Sequence, residues 1–237
     1  MSESDISRVT PKKWALSVLA ISFAILCLGL GFWQIRRLQA RQAANAILSG
    51  RRFSPEVSLD SLPRDTSDAH FRRVHIRGIY DHGQEVIYTL RGRNGSPGVN
   101  ILTPVLRPNK DTAVLVNHGW VYSPDGTTID TGPWREADTV NGHGFVETFP
   151  TKGPFGLASP VRPRSFRRLD RSALAKLVPY PIANYFVVLT DSAASPSAPP
   201  RVEPAPLDEG PHRAYALQWF SFATISIIGL VIFLRRT

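Results

Sequence analysis

The sequence predicts an integral membrane α+β chain in which two transmembrane helices, one near each end, flank an antiparallel β-rich extracytoplasmic domain with a short helix. Three observations predict it. Apolar runs occupy Trp14 to Trp33 and Tyr215 to Leu234, and at ~1.5 Å rise per residue each would cover roughly 30 Å, the hydrocarbon thickness of a bilayer. Between them the chain is polar and rich in proline. Within that stretch, apolar and polar residues alternate in short segments separated by turn residues, the period of half-buried strands.

The first element is a short tail, residues 1–13, followed by a span over residues 14–33. Arg8, Lys12 and Lys13 precede the span, and Ala44-Asn45-Ala46 resembles a small-residue cleavage site. A secretory signal has an apolar core of ~7–15 residues and is cut just past it, so this longer run reads as an uncleaved anchor. The second span, with its interfacial first turn, covers residues 212–234 and leaves a tail of residues 235–237. Both tails therefore fall on one side. The basic residues flanking the first span balance (Arg8, Lys12 and Lys13 against Arg36, Arg37 and Arg41), while Arg235 and Arg236 favour cytoplasmic tails and an exported domain.

Residues 34–191 form a stalk and the domain. Gln34 to Leu48 contains no Gly or Pro, so the first helix is expected to project beyond the bilayer and to stop at Gly50. A loop containing Pro55 and Pro63 follows. Strands are expected at Arg73 to Tyr80, Glu85 to Leu90, Val99 to Leu106, Ala113 to Tyr122, Asn141 to Glu147 and Tyr185 to Thr190, making an antiparallel sheet or a partly closed barrel. Pro108-Asn109-Lys110-Asp111 supplies a hairpin turn, and Gly78 inside a strand suggests a bulge. Asp170 can cap a helix over Ser172 to Leu177 that Pro179 ends. Residues 192–211 hold six prolines and suit a semi-extended linker back to the bilayer.

The chain carries a formal net charge of +9. That balance suits an anionic bilayer surface, an acidic protein or a ligand bearing carboxylates; no nucleic-acid recognition motif is present and no nucleic-acid partner is expected. The single cysteine, Cys27, lies inside the first span, which excludes a disulfide framework, a CxxC redox pair and a thiolate metal site. No GxSxG, HExxH, Walker or Rossmann signature occurs, so no enzyme is expected. His70, His75, His82, His118 and His143 are scattered and read as polar strand or loop residues, with His75 and His118 served by hydrogen bonds to neighbouring strands.

His212 differs. It follows Asp208-Glu209-Gly210-Pro211, a helix start, and Tyr215 and Trp219 share its helical face. An imidazole above an aromatic stripe is a candidate axial ligand for a porphyrin iron, with Tyr215 and Trp219 against the ring and Arg213 at a propionate. The other reading is an ordinary interfacial aromatic belt that fixes the depth of the helix. Trp33 and Gln34 end the first span on the same outer side. Gln34 and Gln218 are costly to leave unpaired near lipid and are expected to bond across the helices, with Gly29 and Gly31 allowing close approach.

Five segments occur in an order that resembles the surfeit locus protein 1 family: GFWQIRRLQARQ (Gly31 to Gln42), FRRVHIRGIYDHGQEVIY (Phe71 to Tyr88), GVNILTPVL (Gly98 to Leu106), VLVNHGWVYSPDG (Val114 to Gly126) and HRAYALQWFSFA (His212 to Ala223). The resemblance extends to length and to a span at each end, and points to a bacterial member in the inner (plasma) membrane. It implies an assembly factor, or chaperone, for haem-copper cytochrome c oxidase in respiratory complex IV biogenesis. The implied cofactor is haem a, bound transiently through His212. The implied partners are the oxidase catalytic subunit, the enzymes of haem a synthesis and the lipid bilayer. Where the family usually has Val-Asn-Arg-Gly-Trp, this chain has Val116-Asn117-His118-Gly119-Trp120; the loss of that charge leaves open a role for His118 as a second iron ligand. Two alternatives stand beside the haem carrier: a haem-free scaffold that stabilises an oxidase intermediate, and a membrane-tethered hydrolase using Asp81 with His82 or His118.

Overall fold

The structure is a computed structural model that describes residues 11–62, 69–108, 110–150, 164–191 and 198–236. In chain order the elements are α1 (Pro11–Phe53), β1 (Val57–Ser58), β2 (Arg73–Tyr80), β3 (Val86–Tyr88), β4 (Gly98–Leu106), β5 (Ala113–Tyr122), β6 (Thr139–Thr148), β7 (Ser165–Phe166), α2 (Arg171–Leu174), β8 (Ile182–Leu189) and α3 (His212–Arg235). They form two compact units, one of residues up to 47 together with those from 207 onward, the other of residues 48–206. Arg8, Pro63, Asn109 and residues 192–197, on which parts of the sequence reading fall, lie outside the described residues.

α1 and α3 are both long and apolar enough to cross a membrane, with mean hydropathy of 2.4 and 2.0 over their most apolar windows. Their shared seam is built from small residues: Ala24, Cys27 and Gly31 of α1 are buried, as are Ala216 and Ala223 of α3. Without a hydrophobic drive inside lipid, small side chains that let backbones approach are what helix pairs use. A Cβ at Gly31 would strike the Phe220 ring, and Phe220 meets Phe32 edge-on at 5.4 Å between centroids. Gly29, expected to do the same, faces open space. Ser226 Oγ donates to the Ala20 carbonyl across the pair at 3.0 Å.

α1 continues as one helix through the residues expected to form a stalk, and Gly50 does not stop it. The helix continues to Phe53: among the described residues nothing lies within 4 Å of where a Gly50 Cβ would stand, and an exposed glycine costs a helix only ~1 kcal/mol. The stop comes from Ser54 and Pro55: the Ser54 hydroxyl donates to the Gly50 carbonyl at 2.6 Å, and proline cannot continue the ladder.

In the second unit the strands run in the order β1-β2-β6-β8-β5-β4-β3-β7, and a further β2–β4 pairing closes β2, β6, β8, β5 and β4 into a ring. The partly closed barrel is thus present. Most pairings are antiparallel, but β5 and β8 at its centre are parallel. β2 alternates buried and exposed residues, while β4 and β5 are buried almost throughout, as strands covered on both faces must be. The core is filled by Val74, Ile76, Val105, Val114, Val116, Val146 and Val187, all essentially inaccessible.

Gly78 is not a bulge. It pairs in register with Val140, and a Cβ there would collide with the Val105 side chain and the Leu106 carbonyl. It marks the point where β4 crosses over β2 to close the ring through Ile79–Leu106 and Tyr80–Val105. The bulge lies in β5 instead: Ile101 faces Gly119 and Leu102 faces Asn117, so His118 is the extra residue.

α2 is capped by Asp170, whose carboxylate accepts from the Ser172 amide at 2.8 Å, although the helix starts one residue earlier than expected and ends three residues earlier, at Leu174. The proline-rich stretch that was expected to be a linker is, over 198–206, a strap bound to the barrel. Pro200 O accepts from the Trp120 amide at 2.9 Å, Arg201 is half-buried beside β5, and Arg52 at the end of α1 donates to the Ala205 carbonyl at 3.2 Å.

Candidate functional site

Asp208 and Gly210 turn the chain into α3. The Gly210 amide donates to Asp208 Oδ1 at 2.9 Å, and Gly210 takes a left-handed φ of +74°, a conformation that suits glycine. The stalk grips this turn. Arg41 Nε and Asn45 Nδ2, one helical turn apart, both donate to the Asp208 carbonyl at 3.0 and 3.1 Å, and Gln42 Nε2 donates to Glu209 Oε1 at 3.0 Å.

Immediately below, Gln34 and His212 meet. His212 Nδ1 lies 2.9 Å from Gln34 Oε1; a carbonyl oxygen can only accept, so Nδ1 carries a proton, and in the neutral ring Nε2 keeps the lone pair. Gln34 is 8 % exposed, and a buried amide needs such a partner. The sequence therefore located the need but not the partner: Gln218 is exposed, because six residues beyond His212 it lies ~120° away around the helix.

Beside this contact a cleft of about 920 Å³ opens in the helix pair, with Ile35, Leu217 and Phe220 on its apolar side and Asp208, Glu209 and Arg213 at its polar end. Of the residues singled out from sequence, Arg213 lines this cleft, whereas Trp33, Tyr215 and Trp219 do not. Trp33 and Tyr215 are half exposed, at 51 % and 47 %, and Trp219 stacks edge-on against Phe222. His212 thus lies between an aromatic flank and an apolar cleft.

His118 belongs to the other unit. The bulge turns its side chain into the barrel, where it is 2 % exposed; the Gly119 amide bonds to Asn117 Oδ1 at 3.0 Å, and Gly119 has φ +147°, with the strap carbonyl of Pro200 where a Cβ would stand. Its Nδ1 lies 2.9 Å from Glu136 Oε1 and its Nε2 2.9 Å from Thr103 Oγ1. Both ring nitrogens are engaged by protein. Arg201 from the strap joins the same carboxylate through both terminal nitrogens, at 2.6 and 2.9 Å, and also donates to the His118 carbonyl at 2.6 Å. Burial on its own would raise the Glu136 carboxyl, but the bonds from His118 and Arg201 outweigh it and hold it at about 2. The Tyr80 ring covers His118 at 4.7 Å, and burial with the nearby Glu136 charge pushes the Tyr80 phenol well above its ordinary value.

The other histidines each face a polar group: His70 with Glu147, His75 with Asn141, His82 with Glu85 and His143 with Glu56. Asp81 accepts from the Tyr180 hydroxyl at 2.8 Å. Among the described residues no cluster of three or more His, Cys, Asp or Glu could hold a metal ion. Sequence reasoning missed Glu136 and Arg201. Arg201 carried the only signal, a long cation set directly after two prolines.

Comparison with known proteins adds a family. The model of the SURF1 family matches residues 21–224. The chain is 26% identical to Surfeit locus protein 1 of Takifugu rubripes, over 94% of this chain and 98% of the fish protein. It is 25% identical to a SURF1-like protein of Rickettsia felis, over 92% and 96%. A shorter match, 30% identical over 54% of this chain and 35% of the relative, joins it to the cytochrome oxidase assembly protein SHY1 of Saccharomyces cerevisiae.

Proposed function

The chain belongs to the SURF1 family, and from that premise we propose that it assists assembly of haem-copper cytochrome c oxidase as a membrane-bound chaperone that holds haem a without turning it over. The yeast relative's name supports the assembly role, and the two apolar helices support a membrane location. In this reading the helices cross the plasma membrane, the barrel domain is extracytoplasmic, and the catalytic subunit of the oxidase and the enzymes of haem a synthesis are the partners.

The observation that carries the haem reading is the His212–Gln34 bond. An axial imidazole needs one ring nitrogen free and the other tethered to a carbonyl or carboxylate that fixes tautomer and orientation, and the contact at 2.9 Å provides that tether. Haem bound there would supply a metal centre with an open coordination position. His212 Nε2 would be the axial ligand, Gln34 would orient it, Tyr215 and Trp219 would offer aromatic surface and Arg213 a cation for a propionate.

The test is the visible spectrum of the detergent-purified chain produced with haem a synthesis enabled. The expected result is a haem a band that His212→Ala abolishes and Gln34→Leu weakens by about 10-fold or more in affinity, the usual loss when a ligand's supporting partner is removed. Equal haem content in wild type and His212→Ala would overturn the ligand assignment. A second reading, a haem-free scaffold, is favoured by the fact that the apolar cleft is not lined by His212. Co-purification of oxidase subunits with haem-free protein would support it.

A further inference from the structure

The barrel domain has a pocket of its own. A cavity of about 580 Å³ is lined by Leu90, Arg91, Arg93, Asn100, Trp120 and Glu203, among others. Its wall is built where β4 and β5 pair: Asn100 stands directly across from Trp120. Trp120 is fixed by its indole N–H, which donates to the Arg91 carbonyl at 2.6 Å, and a Cβ on Gly98 would run into that indole.

Three independent observations point to a binding site. Asn100 is 6 % exposed, yet among the described residues its buried Oδ1 has no hydrogen-bond partner. Nearly all buried polar atoms are satisfied, so an acceptor left open on a cavity wall calls for a donor from outside. Two guanidinium groups share the same wall: Arg91 lies over the Tyr88 ring at 4.0 Å and Arg93 near the Trp120 ring at 6.0 Å. Arg91 Nε donates to the Thr89 carbonyl at 3.2 Å and Arg93 Nη1 to the Pro200 carbonyl at 3.5 Å; a guanidinium has five N–H groups, so each keeps further donors for a carboxylate. The third is strain at the rim. Leu90 holds φ +56°, a conformation unfavourable for a bulky side chain, and such outliers cluster at ligand clamps.

An occupant must therefore bring both a carboxylate, for the arginines, and an adjacent N–H, for Asn100. An isolated carboxylate lacks the donor, and inorganic phosphate, which keeps an O–H near neutral pH, has no apolar part to meet the rest of the wall. An aspartate or glutamate within an extended peptide has both, and Leu90, Val202 and the Trp120 ring provide apolar surface for its stem and neighbours. We propose that this pocket binds an acidic segment of a partner polypeptide. The site is independent of the haem reading, since its residues all fall within the 48–206 unit.

The test is selection of short synthetic peptides of random sequence by the full chain in detergent. The chain should enrich peptides containing Asp or Glu, and the enriched peptides should bind about 10-fold or more weaker to Asn100→Val and to an Arg91→Gln, Arg93→Gln double variant, the loss expected for a charge-assisted bond. Asn100→Val should also hold or raise the melting temperature, because it removes an unsatisfied buried acceptor from a strand. Unchanged binding by either variant would overturn the proposal and assign the selection to general surface charge. A lower melting temperature for Asn100→Val would overturn it by making Asn100 a structural group. Inorganic phosphate that displaces the peptides, with no need for an acidic residue in them, would overturn it in favour of a simple anion site.

Discussion

At the scale of single residues, the barrel interior depends on Glu136. A carboxylate within reach of one imidazole and a bidentate guanidinium is a charge that folding has taken out of water and repaid with bonds. Its folded value of about 2 lies below the ordinary 4.5, so the group contributes stability that is fully present above pH ~4.5 and is lost as pH falls through ~2. At ~1.4 kcal/mol per pKa unit the contribution is at most about 3 kcal/mol, and less once solvent screening of this part-exposed group is allowed for. Thermal melts between pH 2 and pH 7 should therefore show that Glu136→Gln is less stable than wild type at neutral pH and loses less stability on acidification. Parallel curves for the two proteins would contradict this assignment.

His212 and Gln34 show how far single residues can be read from sequence. A histidine heading a helix beside Tyr215 and Trp219 stood out by type and spacing, and Gln34, polar at the end of an apolar run, demanded a partner. Its identity depends on axial offset and rotation of two helices, which no local pattern encodes, so Gln218 was as good a candidate as His212 until both helices were placed. Asn100 gave no sign at all. An asparagine in an apolar strand looks the same whether its oxygen is satisfied or open.

Among the elements, the strands were the most legible: period-2 alternation bounds β2 and a nearly continuous apolar run bounds β5, each where the strand begins and ends. Glycine was ambiguous, since a strand glycine serves either a bulge or a close approach, and only the return of β4 across β2 decides for Gly78. That approach makes a prediction. Gly78→Val should place branched atoms against Val105 and the Leu106 backbone and cost about 1–3 kcal/mol as overpacking, or more where closure of the ring fails; denaturant unfolding of the variant measures it. The strap was misread for a different reason. Proline-rich backbone is extended whether it spans solvent or lies on a surface, and what fixes this one is Arg201, paired with Glu136 far away in the sequence.

On the scale of the whole molecule, two units with separate cores share one chain. The barrel closes on itself through β2–β4, and its two ends are tied where Arg52 holds the Ala205 carbonyl. Residues 48–206, produced alone, are expected to give a β-rich circular dichroism spectrum and one cooperative melt. Absence of a cooperative transition would show that the barrel needs the helices to fold.

The parallel pairing of β5 with β8 also sets an order of events during synthesis. β5 ends at Tyr122 and β8 starts only at Ile182, so a nascent chain displays one edge of an almost wholly apolar strand until its last β-segment has left the ribosome. At ~5–20 residues per second that exposure lasts several seconds, and an open strand edge of this kind is a template for misassociation. A chain cut short before Leu189 cannot shut its barrel, however complete its first helix, so late truncations should be cleared by proteases as fully as early ones.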